Sequence, residues 1–451
     1  MDDLVVTGAR LVATMDAAGT ELAGAWVAIS DGLVRTVGTG PPPEARERLD
    51  ATDALVTPGL VNTHHHLFQN LTRAWPPMTD KPLFGWLQSL YPRWRRLGEE
   101  AAYLSAWVGL AELALSGCTT STDHLYVHPR GGGDLLAAEI AAAGDLGMRF
   151  HPTRGSMSLS VKDGGLPPDD VVGDDDEILA ACETAVSRHH DRAHGAMVRV
   201  ALAPCSPFTV TEALMVRSAE LAERLDVRLH THFAENDEDD AFSLATFGCR
   251  PTEYLERTGW LTDRAWLAHG VTPRADEITR LGAAGVGVAH CPSSNLILAS
   301  GLAPVVRLRT AGVSVGLGVD GSSSADAGSL WLEARQAMLL AKLRDGPAAG
   351  TARMALDLAT RGGAACLGRR GELGVLAPGA VGAVAVWPLT GPAFAGALAD
   401  PVEAWLRCGP VTARHTVVQG RPIVRDGQLV HPAVEERLAA HAVVARRLQQ
   451  G

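Results

Sequence analysis

A chain of 451 residues with 46% hydrophobic and 20% charged residues can build one large core or several domains, and this composition excludes disordered and collagen-like classes. Its net charge of −11 comes without a basic block or stripe, which argues against nucleic acid or an anionic membrane surface as a partner. Seven single cysteines form no CxxC pair, so a disulfide framework and a thiolate zinc site are excluded and any metal must be held by histidine and carboxylate.

The chain opens with "DLVVTGARLVATMD", "AWVAISDGLVRTVG" and "RLDATDALVTP", short strand-like runs with Gly and Asp at the bends. The first of them has neither the basic start nor the apolar core of a signal peptide, and no apolar run reaches the roughly 18 residues of a membrane span. A cytoplasmic location without a membrane partner is the expectation. The β texture of residues 1–58 returns over 371–432 in "GAVGAVAVWPL" and "HTVVQGRPIVRDGQLV". Together these predict a small β-sandwich domain built from both chain ends, followed by a helix over 433–451.

Residues 59–370 have a different rhythm, in which short apolar runs alternate with helical patterns, as βα units of a parallel sheet require. The runs are "GLVNTHHH", "TTSTDHLY", "MRFHPTR", "VRVALAPC", "VRLHTHFAE", "AWLAHG", "VGVAHCP" and "VSVGLGVD". Eight strands close a (β/α)8 TIM barrel. An open doubly wound sheet is the alternative, but no GxGxxG or phosphate loop follows the first strand. Thr209 with Glu212 predicts a capping box, and Thr272-Pro273 predicts a cap and first turn. The polar, turn-rich segment 162–177 has the length of a lid over an active site.

Barrel active sites sit at the C-terminal ends of the strands, and here those ends carry ionisable residues. Residues two apart on a strand share a face, so His64 and His66 point together into the barrel and His65 points out. Two neutral imidazoles on one strand end suit a divalent metal. Further metal-type side chains recur at other strand ends: His230, His232, His269, His290 and Asp320. Of the 230/232 pair, His232 lies nearer the catalytic end and is the expected ligand, with His230 a satisfied core residue. Asp320 stands alone in the apolar run "VSVGLGVDG", where a carboxylate is costly to bury unless a cation or several donors meet it.

In this order, "PGLVNTHHH", "HTHFAEN", "LAHG", "VAHCPSSN" and "GLGVDGSSS" resemble the amidohydrolase superfamily, in its branch of mononuclear-metal aminohydrolases acting on heterocyclic bases. The resemblance spans nearly the whole chain. It implies one divalent metal, zinc or iron, held by His64, His66, His232 and Asp320. It also implies that Asp320 takes a proton from water, that Glu235 protonates a ring nitrogen, and that His269 stabilises the oxygen of the tetrahedral adduct. Within the branch, "HHHLFQNLTRAWP", "LFGWLQSLY", "TTSTDHLYVHP" and "VALAPCSPFTV" are similar to bacterial 8-oxoguanine deaminases, and this likeness makes Gln69, Trp86 and Cys205, with Glu235 and His269, contacts to the base. Guanine or isocytosine deamination and triazine dechlorination are the alternatives. A noncatalytic ligand-binding barrel with a structural metal is the remote one. The family implies a homo-oligomer, a dimer. Two residues depart from the pattern: Ala325 stands where asparagine is usual, and Ser294 where a relative carries cysteine.

Overall fold

The computed structural model describes residues 1–450. Eight parallel strands close into a barrel. They are β6 (Leu60–Asn62), β7 (Cys118–Leu125), β8 (Arg149–Ser156), β9 (Ala201–Pro204), β10 (Leu229–Phe233), β11 (Ala265–His269), β12 (Gly287–His290) and β13 (Ser314–Leu317). All eight predicted runs supply one strand each. Closure comes where β13 pairs β6 at Leu317 and Asn62. Both faces of each strand are covered, by the barrel interior and by the helices, so even the polar residues of β7, 119–124, are buried.

The two chain ends meet in a second sheet of nine strands. The first five are β1 (Asp2–Ala13), β2 (Glu21–Ser30), β3 (Leu33–Thr39), β4 (Ala45–Asp50) and β5 (Ala54–Pro58). The last four are β14 (Val384–Pro388), β15 (His415–Val418), β16 (Arg421–Arg425) and β17 (Gln428–Leu429). The ends are joined by the antiparallel pairing of β5 with β14, Val56 opposite Val386. This sheet has its own apolar core, including Val6, Val27, Val56, Val384 and Val417. The chain then forms the helix Val434–Gln450, whose His441 Nε2 meets Asn70 Oδ1 at 2.8 Å and whose Gln449 Nε2 donates to Leu71 O at 2.8 Å. Among the described residues, no helix is long and apolar enough to cross a membrane.

Two predicted helix starts fall elsewhere. The helix Glu212–Leu225 is capped by Thr211, whose hydroxyl accepts from Leu214 N at 3.0 Å. Thr209 is held in the preceding turn by Ser206, so the threonine two residues later is the one free to cap. The second helix begins at Ala275, not at Pro273: Glu277 closes it by accepting from Arg274 N at 2.7 Å, while Thr272 Oγ1 is used by Asp240 Oδ1 at 3.1 Å. The segment 162–177 contains a short turn of 3-10 helix and is tied to the neighbouring helix region by Arg95 and Asp170, 3.4 Å apart.

Candidate active site

The barrel gathers imidazoles and one carboxylate around a single point at its C-terminal end. His64 and His66 follow β6, and their side chains turn inward as their spacing requires. His65 faces the other way, towards Gly109 of the helix Glu99–Leu115, and its Nδ1 accepts from His66 N at 2.8 Å. His66 Nε2 is 3.2 Å from His232 Nε2. Asp320 Oδ1 lies 3.3 Å from the Nε2 atoms of both His64 and His66. His64, His66, His124 and His232 form one group whose ligand atoms all lie within 4.8 Å of one another, and His64, His269 and Asp320 form a second.

The far side of each ring is tied down. His66 Nδ1 donates to His124 O at 2.8 Å, and His232 Nδ1 to Cys205 O at 2.5 Å. His230 Nδ1 donates to Trp266 O at 2.7 Å, which leaves its Nε2 to accept from His64 Nδ1 at 2.8 Å. These contacts fix the tautomers so that His64, His66 and His232 all present Nε2 lone pairs to the same point, an arrangement metal-ligating histidines use. His64 Nε2 is buried and has no hydrogen-bond partner. Burial, the largest effect, holds His64, His66 and His232 below the ordinary imidazole pKa, His232 at about 3, and the neutral ring is the form that binds a metal. The donor set therefore fits a divalent metal ion. His230 sits one layer deeper, stacked on the Trp266 ring at 4.4 Å, and His290 is buried at the end of β12 outside both groups.

Beside the cluster stand Glu235 and His269. His269 Nε2 is 3.6 Å from Glu235 Oε2 and 3.9 Å from Asp320 Oδ2. Its Nδ1 donates to Asn295 Oδ1 at 3.0 Å. Burial pushes the Glu235 carboxyl up to about 7. Burial disfavours charge on His269 too, but the Glu235 and Asp320 carboxylates outweigh it and its pKa is raised. For Asp320, burial is outweighed by His64, with His269 and His66 adding to the effect, and its carboxyl is held well below the usual range. His269 and Asp320 both have left-handed backbones, with φ of 74° and 58°, as strained strand-end residues at active sites often do.

A cavity opens onto this cluster, walled by the apolar side chains of Leu83, Trp86, Leu87, Phe208 and Leu298. Gln69 and Cys205 line it as well, together with His66, His232, Glu235, His269 and Asp320, while His64 lies behind this lining in the imidazole cluster. Gln69 Nε2 lies 3.5 Å from Tyr126 Oη, and its Oε1 is buried without a partner. Gly321 makes room for it, since a Cβ there would lie 1.8 Å from Gln69 Oε1. Trp86 Nε1 donates to Ser323 O at 3.2 Å. The segment 162–177 supplies none of the lining residues; among the described residues the helix Leu83–Trp94 covers this side instead. Ala325 is buried away from the lining, and Ser294 Oγ donates to Ser324 Oγ at 3.1 Å, which in turn faces Asp320 Oδ2 at 3.4 Å.

Sequence reasoning missed His124, Tyr126, Ser206, Phe208, Ser324 and Asn295. His124 had a signal: it lies near the end of β7 and shares a strand face with Tyr126 two residues on. Its ring stacks on His232 at 4.9 Å.

The sequence matches the Amidohydrolase family over residues 55–422. It is 47% identical over 442 residues to an 8-oxoguanine deaminase of Pseudomonas aeruginosa, covering 98% of each chain. It is 36% identical to a hydroxydechloroatrazine ethylaminohydrolase of Pseudomonas sp. (strain ADP), covering all of this chain and 97% of that one. A crystal structure of atrazine chlorohydrolase from Arthrobacter aurescens TC1, complexed with zinc, superposes with a TM-score of 0.94 at 34% identity, covering 98% of this chain and all of that one. With this match over most of its length and a closed barrel carrying a buried His/Asp cluster, the chain belongs to the amidohydrolase family.

Proposed function

We propose that this chain is a zinc-dependent aminohydrolase that removes an amino group from a purine-type base, 8-oxoguanine foremost, as ammonia. The observation that carries the reading is the placement of Glu235 and Asp320 on either side of His269 Nε2, 3.6 and 3.9 Å away, at the floor of an apolar slot. The near full-length likeness to an 8-oxoguanine deaminase supports the choice of base.

His64, His66, His232 and Asp320 would hold the metal. A divalent ion held there supplies Lewis-acid chemistry, lowering the pKa of water from about 15.7 towards about 7. Asp320, kept ionised by the surrounding histidines, accepts the proton that the attacking water gives up. Glu235, with its pKa near 7, carries a proton at neutral pH and delivers it to a ring nitrogen, which makes the amidine carbon electrophilic. His269 is fixed by Asn295 with Nε2 towards the cavity and donates to the oxygen that builds up charge. A carboxyl group then returns a proton to the departing nitrogen, so the water oxygen stays on the ring carbon as a carbonyl and the amino group leaves as ammonia. Trp86, Phe208 and Leu298 present flat apolar surface to a planar ring, and Gln69 Oε1 and Cys205 offer polar contacts at its edge.

The test is ammonia release from 8-oxoguanine, guanine and isocytosine by zinc-loaded protein, beside a metal-stripped control and Asp320→Asn. Ammonia from 8-oxoguanine, lost in both controls, is the expected result. The likeness to atrazine chlorohydrolase favours chloride displacement as a second reading; chloride from a chlorotriazine with no ammonia from any base would replace the first reading with the second.

A further inference from the structure

The opposite, N-terminal end of the barrel carries a second concentration of charge that the proposed chemistry does not use. Four successive strands begin with, or within two residues after, an arginine: Arg149 opens β8, Arg199 lies two residues before β9, and Arg228 and Arg264 directly precede β10 and β11. Parallel strands start at the same end of a barrel, so the four guanidiniums come together once it closes. Arg199, Arg228 and Arg264 line one cavity of about 250 Å³ together with His151, His190 and Arg192.

Much of this cluster is tied to the fold. Arg149 donates to Gly195 O, Ala196 O and Gln419 Oε1, and Arg228 to Asp263 O. Arg199 pairs with Glu372 at 3.3 Å, Arg369 also pairs with Glu372, Arg264 pairs with Asp226 at 3.0 Å, and Arg192 meets the same carboxylate at 3.7 Å. Asp191 is occupied by Ala193 N at 2.9 Å. The cavity lining thus holds four guanidiniums, of Arg192, Arg199, Arg228 and Arg264, and one carboxylate, Asp226, with Glu372 pairing Arg199 from outside it. Donors remain unspent: Arg199 Nε and Arg228 Nε, both on the cavity lining, are buried without a partner, as are Arg149 Nη1 and Nε and Nη1 of Arg369 outside that lining. His151, 1% exposed and lining the cavity, also has an unpartnered buried Nδ1. Buried polar groups of this kind are expensive unless something meets them. Guanidinium forks match the planar edges of oxyanions, and several converging on one cavity make an acceptor-rich anion the fitting occupant.

We propose that the N-terminal mouth of the barrel is a binding site for an oxyanion of the phosphate class, either the free ion or a phosphate monoester, held by Arg199, Arg228 and His151. The site is separate from the catalytic cluster. Arg228 and His232 lie four residues apart on one strand, roughly 13 Å at about 3.3 Å per residue, so an anion bound at one end touches no residue of the other.

The experiment is calorimetric titration of the zinc-loaded full-length protein with inorganic phosphate and with AMP, in buffers of equal ionic strength made up with chloride. Wild type is expected to bind saturably, and Arg228→Gln and Arg199→Gln, shown by circular dichroism to be folded, to bind on the order of tenfold more weakly, with base turnover unchanged. Tighter binding of AMP than of phosphate assigns the monoester; equal binding assigns the free ion. A wild-type protein that binds neither, or folded variants that bind as well as wild type, overturns the proposal. Should both variants fail to fold, phenylglyoxal modification of Arg199 and Arg228 in wild type, mapped by mass spectrometry, gives the answer: phosphate slows it if the site exists, and an unchanged rate overturns it.

Discussion

His269 Nε2 lies 3.6 Å from Glu235 Oε2, and the charge state of each depends on the other. The two carry opposite tendencies: burial favours the neutral acid at Glu235, while the nearby carboxylates favour the imidazolium at His269. Protonating Glu235 removes the largest effect that raises His269, and an imidazolium at His269 lowers Glu235, so the pair titrates as a coupled unit rather than as two independent groups.

The pH dependence of turnover follows. Glu235 must hold a proton to deliver it, and its pKa is about 7, so kcat/KM falls as pH rises through that value. Glu235→Gln is expected to lower kcat by a factor on the order of 10²–10⁴ and to erase that limb. Steady-state rates across pH 5–9 check this; a wild-type profile flat through pH 7 contradicts the assignment.

His230 accepts from His64 Nδ1 at 2.8 Å, so it would support the proposed metal through that ring. Such supporting contacts are worth roughly 10–100-fold in metal affinity. His230→Phe should therefore retain its fold while losing zinc to a competing chelator about that much more readily. Metal content after dialysis against graded chelator measures the shift.

Gly321 gives Gln69 its place, because a methyl group there would overlap Gln69 Oε1. Gly321→Ala is expected to displace the amide and raise KM for the base on the order of tenfold, the worth of one hydrogen bond to a polar ligand. Gln69→Ala should raise KM similarly, and the double variant should be no worse than either single one if both act through the same contact.

A buried carboxyl pair sits outside the cavity. Asp123, on β7, accepts from Leu67 N at 2.6 Å, and Glu139 is fully buried without any other partner. Burial raises both pKa values, Asp123 to about 7 and Glu139 further by its neighbour's charge. Since the folded state holds these protons more tightly than the unfolded chain, stability falls as pH rises from about 4 through 7 and beyond. Glu139→Gln removes one titrating group, so its Tm should exceed that of wild type by a few degrees at about pH 8, with the gap closing towards pH 4. Thermal melts at the two pH values decide it.

The barrel and the metal cluster were legible because their signals are local. Strands such as β11 and β13 are short apolar runs, against which the histidine or aspartate at or just past their ends is conspicuous; the two-residue spacing of His64 and His66 even gave their direction. The walls of the cavity were not. Phe208 and Leu298 come from loops whose apolar residues carry no chemical signature, and they become lining only when the loops converge. His124 was hidden differently, since a lone histidine after Asp123 reads as one more strand residue until β7 is set beside β6. The misplaced caps at Thr209 and Thr272 have a common cause: more than one side chain near a helix start can cap, and tertiary partners such as Ser206 and Asp240 decide which is free. The arginines that begin four strands were in plain view too, but residues so far apart in sequence mean nothing together until the barrel closes.

The last helix of the chain reaches back to the residues that follow the first metal-type histidines: His441 to Asn70 and Gln449 to Leu71, the latter pair 378 positions apart. At synthesis rates of roughly 5–20 residues per second, the segment carrying His64 and His66 waits on the order of tens of seconds before its final brace is made. During that interval the histidines are present without their full scaffold. The loop that follows His64 and His66 is thus held in part by a helix made hundreds of residues after it.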